Sequence, residues 1–255
     1  MSEENSQEPE NTDLVNQSEQ LTNTEAMAGV ITAPGETFEI IANTPKKNYW
    51  LLPVIIFIVL NLISTVLFIS DTELTNKSMD KQREAMREQF DKNIKEGKMT
   101  KEDSEKAMES MNPAGIFFKG VAFGGSVIGP FLMLIILSVV YVLGLKVMKS
   151  DVDFTNVLNV VGLALLIFAL GNLISTVISV LRGEMSTLGP ALLFNEVSAG
   201  KKAYALLSKI DVFTIWFYAV VSIGLSKLGR IEMYKAAILA FGVWIIYSLL
   251  TALIF

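Results

Sequence analysis

A chain of 255 residues that is 51% apolar, with a mean hydropathy of +0.47, is too hydrophobic for a soluble domain of mixed class. It has no cysteine and no histidine, which excludes disulfides, thiolate metal sites, a thiol nucleophile and the commonest general base and metal ligand. The net charge of −5 is uneven: residues 1–45 hold nine acids and no Lys or Arg, and the remainder holds 21 bases and 17 acids.

The acidic, Ser/Asn/Gln-rich opening has too little apolar surface to offset the entropy of ordering, so residues 1–28 are expected to be a disordered tail. It offers no basic start and no early apolar stretch, which leaves the first span as the membrane-targeting element. Pro34 suits a first helical turn and Glu36 its positive end, while Phe38 and Ile41 share a face. This predicts a short helix lying at the membrane surface, with a structured linker as the alternative. Lys46 and Lys47 before Tyr49 and Trp50 form a basic flank followed by aromatic anchors, as at the entry of a span.

Five spans are predicted at about 49–70, 121–145, 157–181, 210–228 and 236–255. A helix of roughly 20 apolar residues crosses a bilayer, and hydrocarbon forces the backbone to satisfy itself as helix. Between the first two spans lies the only long polar insert, 71–112, with nine bases and eleven acids. The pairs Glu88–Lys92, Asp91–Lys95 and Glu102–Lys106 have the favourable helical order. Met79, Met86, Phe90 and Ile94 form a thin apolar stripe, Gly97 interrupts it, and Thr100 with Asp103 marks a new helix start. The reading is a charged helical hairpin outside the bilayer.

The second span carries Gly120, Gly124, Gly125 and Gly129, in two overlapping Gly-x-x-x-Gly spacings, and then Pro130. Small residues four apart let helices approach closely in lipid, and a mid-helix proline kinks the chain. These five residues, with Asn61 in the first span and Asn172 in the third, are the candidate helix-packing positions; Asn159, Gly162 and Gly171 also lie in the third span. Asp151 and Asp153 read as caps ahead of that span, not as a cation site. Ala203, Leu206, Leu207 and Ile210 define one face of an interfacial helix near Lys201, Lys202 and Lys209, and Asp211 caps the short fourth span.

The basic residues beside short linkers fall on two sides. Lys46, Lys47, Lys146, Lys149, Lys227, Arg230 and Lys235 share one side of a five-span path; Lys119, Arg182, Lys201, Lys202, Lys209 and the nine bases of the insert share the other. A plain count places the amino terminus outside, but the insert's bases are interleaved with acids in a folded hairpin. The clusters at span ends favour an amino terminus inside and a carboxyl terminus outside.

Two blocks carry a resemblance. One runs from Pro34 through Phe38 to Ala42 and Pro45 before the first span; the other runs from Leu206 through Asp211, Phe213 and Trp216 to Gly224 and Leu225, with Lys235 and Ala236 opening the last span. Their order resembles the bacterial branch of the YIP family, five-span integral membrane proteins related to the Ypt/Rab-interacting proteins of vesicle traffic. Pro34, Phe38, Asp211, Phe213, Trp216 and Gly224 are the candidate family-motif positions. The resemblance covers residues 29–255 as a YIP-like membrane domain, the insert apart. It implies an all-helical fold, a cytoplasmic amino terminus, the bacterial inner (plasma) membrane, and neither enzyme activity nor cofactor. The eukaryotic relatives are adaptors that bind prenylated small GTPases, a role not carried over to this chain.

The expected fold is therefore an all-α polytopic integral membrane helical bundle of five transmembrane helices, short interfacial helices and an extramembrane helical hairpin. No catalytic, cofactor-binding or metal-binding set is expected: nothing resembles a nucleophile with its base. Expected partners are the lipid bilayer, membrane or soluble proteins reached through residues 1–45 and 71–112, and a second copy in a homo-oligomer. No concentrated basic surface points to nucleic acid. The expected function is a non-catalytic scaffold or adaptor in membrane organisation or trafficking-like processes. The alternative is a transporter, channel or permease subunit for a small molecule or lipid, with residues 120–130 as a candidate break and a thin intramembrane polar inventory against it.

Overall fold

The computed structural model describes residues 20–194 and 200–254. In chain order its helices are α1 (Asn23–Thr32), α2 (Pro34–Asn43), α3 (Leu51–Ser70), α4 (Thr72–Lys95), α5 (Lys101–Ser110), α6 (Ile116–Val147), α7 (Phe154–Arg182), a 3-10 turn at Pro190–Leu193, α8 (Lys201–Leu207), α9 (Val212–Gly229) and α10 (Met233–Ile254). Among the described residues there is no strand. Five helices, α3, α6, α7, α9 and α10, are long and apolar enough to cross a membrane.

The most apolar 18-residue stretch of α7 is 72% buried, against 17% in α10, which makes α7 the hub of the bundle. It packs on α3, α6 and α9, and α9 in turn carries α10 and α2. A run of edge-on aromatics crosses the bundle: Phe57 of α3 meets Phe168 of α7 at 5.9 Å, Phe168 meets Phe217 of α9 at 6.0 Å, and Phe217 meets Tyr218 at 4.9 Å. Each such pair adds about 0.5–1.5 kcal/mol beyond the area it buries. Tyr218 then reaches Phe241 and Trp244 of α10, both at 6.0 Å.

Residues 23–28, which the sequence assigns to a disordered tail, belong to helix α1. Thr22 and Glu25 form a capping box: the Thr22 hydroxyl accepts from the Glu25 amide and the Glu25 carboxylate accepts from the Thr22 amide at 2.7 Å. Ala26 and Val30 of the capped helix are fully buried in the core. Acidic composition summed over 45 residues masked this short amphipathic start; residues 1–19 of the expected tail lie outside the described residues. Helix α2 forms with Pro34 in its first turn, but its apolar face is not laid on the membrane. Phe38 and Ile41 are buried in the protein core, with Phe38 against Gly224 of α9.

The insert is helical, as its periodicity predicts. The Asp71 carboxylate caps α4 at the Leu74 amide, and the Thr100 hydroxyl accepts from the Asp103 amide to start α5. Glu102 and Lys106 pair at 2.7 Å, and Gly97 turns with φ +68°. Met79 and Phe90 are buried along the predicted stripe.

Candidate functional site

The predicted packing residues divide sharply. Asn61 and Asn172 do join helices: the Asn172 amide donates to Asn61 Oδ1 at 3.1 Å, and the Asn61 amide donates to the Ser126 carbonyl of α6 at 3.2 Å. Gly120, Gly124, Gly125 and Gly129 do not seat another helix of this chain, because a Cβ added at any of them would meet nothing within 4 Å. The close approaches lie elsewhere. A Cβ on Gly162 would meet the Trp50 backbone at 2.7 Å, one on Gly171 would strike Phe213, and one on Gly224 would meet Val160 at 2.6 Å. Spacing reveals which glycines share a helix face, but not whether a neighbour covers that face. Pro130 is buried within α6, which runs on through it unbroken.

Asn159 has a larger role than a generic interhelical contact. Its Oδ1 accepts from the Tyr49 and Trp50 amides at 2.8 and 3.2 Å, and its amide donates to the Lys47 carbonyl at 2.8 Å. Helix α3 has no side-chain cap of its own, so Asn159 of α7 caps it from across the bundle. Asp211 caps α9 as predicted: one oxygen accepts from the Phe213 and Thr214 amides at 2.9 and 3.1 Å. Its other oxygen accepts from the Leu188 amide at 2.9 Å, which pins the loop 183–194 to the head of α9. Gly189 is required there, since a side chain would collide with the Ile210 carbonyl. Phe213 and Trp216 stack at 6.2 Å on the first turns of α9. Asp153 caps α7 at the Thr155 amide and pairs with Lys46 at 3.3 Å. Burial pushes its carboxyl up, but Lys46 and the Thr155 amide outweigh that and hold it below the usual carboxylate range.

These contacts frame a cavity of about 580 Å³ between α6, α7, α9 and α10. It lies where α6 and α10 barely meet. Ile136 and Tyr247 line it and are also exposed on the outer surface of the bundle, so it opens sideways between those two helices. Its wall changes character along its length. Leu137, Val140, Phe168, Val243 and Trp244 line the end at mid-span; Thr187, Ser208, Lys209, Asp211 and Ser248 line the end near the loop. A second groove of about 510 Å³ between α3, α6 and α7 shares Asn172, Ser175 and Thr187 with it and adds Ser64, Thr65 and Ser126, whose hydroxyls include a Thr65–Ser126 hydrogen bond of 2.5 Å. The intramembrane polar inventory is therefore concentrated, not thin. Counting Asn alone missed it, because Ser and Thr pass as ordinary helix residues until the fold gathers them on one side.

Among the described residues no group of three or more Asp or Glu side chains could hold a metal ion. What the cavity offers is an apolar slot with a polar mouth, an arrangement for binding.

The Yip1 domain model matches residues 28–254, nearly the whole described structure. The chain is also 25% identical to the membrane protein YknW of Bacillus subtilis (strain 168) over 232 residues, 90% of each chain. No solved structure matches it. The match starts within α1 and takes in α2, every span and the capped loop at Asp211, so this multi-pass helical membrane protein belongs to the Yip1 domain family.

Proposed function

We propose that this membrane protein is a non-catalytic scaffold or adaptor that holds a second membrane helix on the outer face of α6. The observation that carries the reading is the open glycine surface of α6: a Cβ on Gly120, Gly124, Gly125 or Gly129 would meet nothing within 4 Å, and Val121, Val127, Ile128 and Leu132 around them are exposed. In lipid, close approach at small residues is what drives helices together. The charged α4–α5 insert and the acidic amino-terminal segment supply further surface for partners. A photoreactive residue at Ile128 should capture one discrete partner in native membranes, either a second copy or another membrane protein. A control at Val59, exposed on α3, should not. Gly124→Leu should abolish the adduct without lowering the melting temperature; equal capture at both positions would remove the proposal.

The cavity favours a second reading, carriage of a small molecule or lipid. Flux through reconstituted protein that is lost in Pro130→Ala would support it.

A further inference from the structure

We propose that the cavity between α6, α7, α9 and α10 is a specific site for one glycerophospholipid, with its phosphate at Lys209 and an acyl chain running to mid-span between Val140 and Val243. The site stands apart from the glycine face of α6 and requires neither scaffolding nor transport.

Its polarity runs in the direction a membrane lipid requires. Lys209 and Ser208 sit just ahead of α9, at the span end, while Phe168, Val243 and Trp244 lie deeper along their helices. The volume of about 580 Å³ suits a bound chain, since small-molecule sites run roughly 300–1,000 Å³. The sideways opening between α6 and α10 gives a lipid a route in from the bilayer without crossing water.

The mouth is equipped for a phosphate. Lys209 forms no ion pair among the described residues; its ammonium lies 5.8 Å over the Tyr247 ring. The neighbouring Asp211 carboxylate is held by three backbone amides, from Leu188, Phe213 and Thr214. Two hydroxyls in the lining have no partner. Ser64, Ser126, Ser179 and Ser222 each donate to the carbonyl one turn back at 2.7–3.0 Å, the ordinary fate of a serine in a span. Ser248 does not: the residue is 8% exposed, its hydroxyl oxygen is buried, and that hydroxyl makes no hydrogen bond. Thr187 Oγ1, in the lining of the same cavity, is also buried and unpartnered. A buried hydroxyl without a partner is costly, and phosphate or ester oxygens would satisfy both. A crevice filled only by bulk acyl chains would leave both unpaired.

The test uses the full chain in lipid nanodiscs with phosphatidylglycerol carrying a diazirine in mid-chain, and diacylglycerol with the same chain as the comparison. The phospholipid adduct should map to Leu137, Val140, Val243 or Trp244, and diacylglycerol should label these positions several-fold less. Lys209→Gln should lower phospholipid labelling roughly fivefold, the size of one Lys contact with an anionic lipid. Ile136→Trp, at the outer edge of the opening, should block it while the melting temperature holds. Val243→Trp fills the slot itself and serves as the second blocking variant. Labelling spread evenly over exposed positions such as Val59 and Ile128, equal labelling by diacylglycerol, or labelling indifferent to Lys209→Gln and Ile136→Trp would each overturn the site.

Discussion

At the scale of single residues, the side chains that matter most are those that complete another element's backbone. Asn159 is 1% exposed, and its three hydrogen bonds hold the segment 47–50 at the point where the chain enters its first span. Replacing it with leucine leaves the buried Tyr49 amide and the partly buried Trp50 amide and Lys47 carbonyl without partners, and a buried orphan of this kind costs about 1–3 kcal/mol. Asn61 joins three helices through partly buried bonds, and interhelical hydrogen bonds of that kind average about 0.6 kcal/mol. Asn159→Leu should therefore lower the thermal stability of detergent-purified protein clearly more than Asn61→Leu does. Similar losses would show that Asn159 is one polar contact among several. The sequence places both residues within predicted spans, where a buried Asn ordinarily bonds a neighbouring helix. It did not separate them, because the partners of Asn159 lie about 110 positions away and are main-chain atoms, which leave no mark in side-chain patterning.

At the scale of elements, α2 shows how a helix that looks suited to a membrane surface becomes part of a protein core. Its Phe38–Ile41 face was legible from spacing, but an apolar face does not say whether lipid or protein covers it. Gly224 decides the matter by letting Phe38 and Val160 close on the α9 backbone. The same blindness hides which glycines meet a helix of this chain: Gly162, Gly171 and Gly224 do, and those of α6 do not. At the rim, Lys227 of α9 donates to Glu39 of α2 at 2.7 Å, and that hydrogen bond, with the charge behind it, holds the Glu39 carboxyl below its ordinary value of 4.5. A carboxyl lowered in the folded state stabilises α2 docking fully above the ordinary value, and the contribution fades as pH falls through the lowered one. Amide exchange in α2 should therefore accelerate between neutral pH and acid below 4.5, once corrected for intrinsic rates. Glu39→Gln should flatten that acceleration even though the carboxyls of Asp153, Glu25 and Glu232 are also held below their ordinary values. An unchanged slope in the variant would mean that the pair is solvated and does not tether α2.

At the scale of the whole molecule, five spans give the bundle two unlike ends. At one end Lys46 meets Asp153, the Ser150 hydroxyl donates to the Gly229 carbonyl at 2.6 Å, and Glu39 meets Lys227, so the amino-terminal helices and both short linkers form one cluster. At the other end stand the α4–α5 insert and the loop that Asp211 pins, next to the mouth of the cavity. Lys46, Lys47, Lys146, Lys149, Lys227, Arg230 and Lys235 all belong to the first end. Bases close to span ends and in short loops set orientation, and acids count little against them, so their pairing with Glu39, Asp153 and Glu232 does not cancel the bias. The nine bases of the insert belong to a folded pair of helices, most of them away from a span end, and weigh less. The first end should therefore face the cytoplasm, and the cavity should open in the outer half of the bilayer. The absence of native cysteine makes the test direct. Glu36→Cys, exposed on α2, should react with an impermeant maleimide only after the membrane is breached; Glu105→Cys, exposed on α5, should react in intact cells. The reverse pattern would invert the orientation and move the cavity to the inner half. Reaction of both from one side would contradict the five-span path itself.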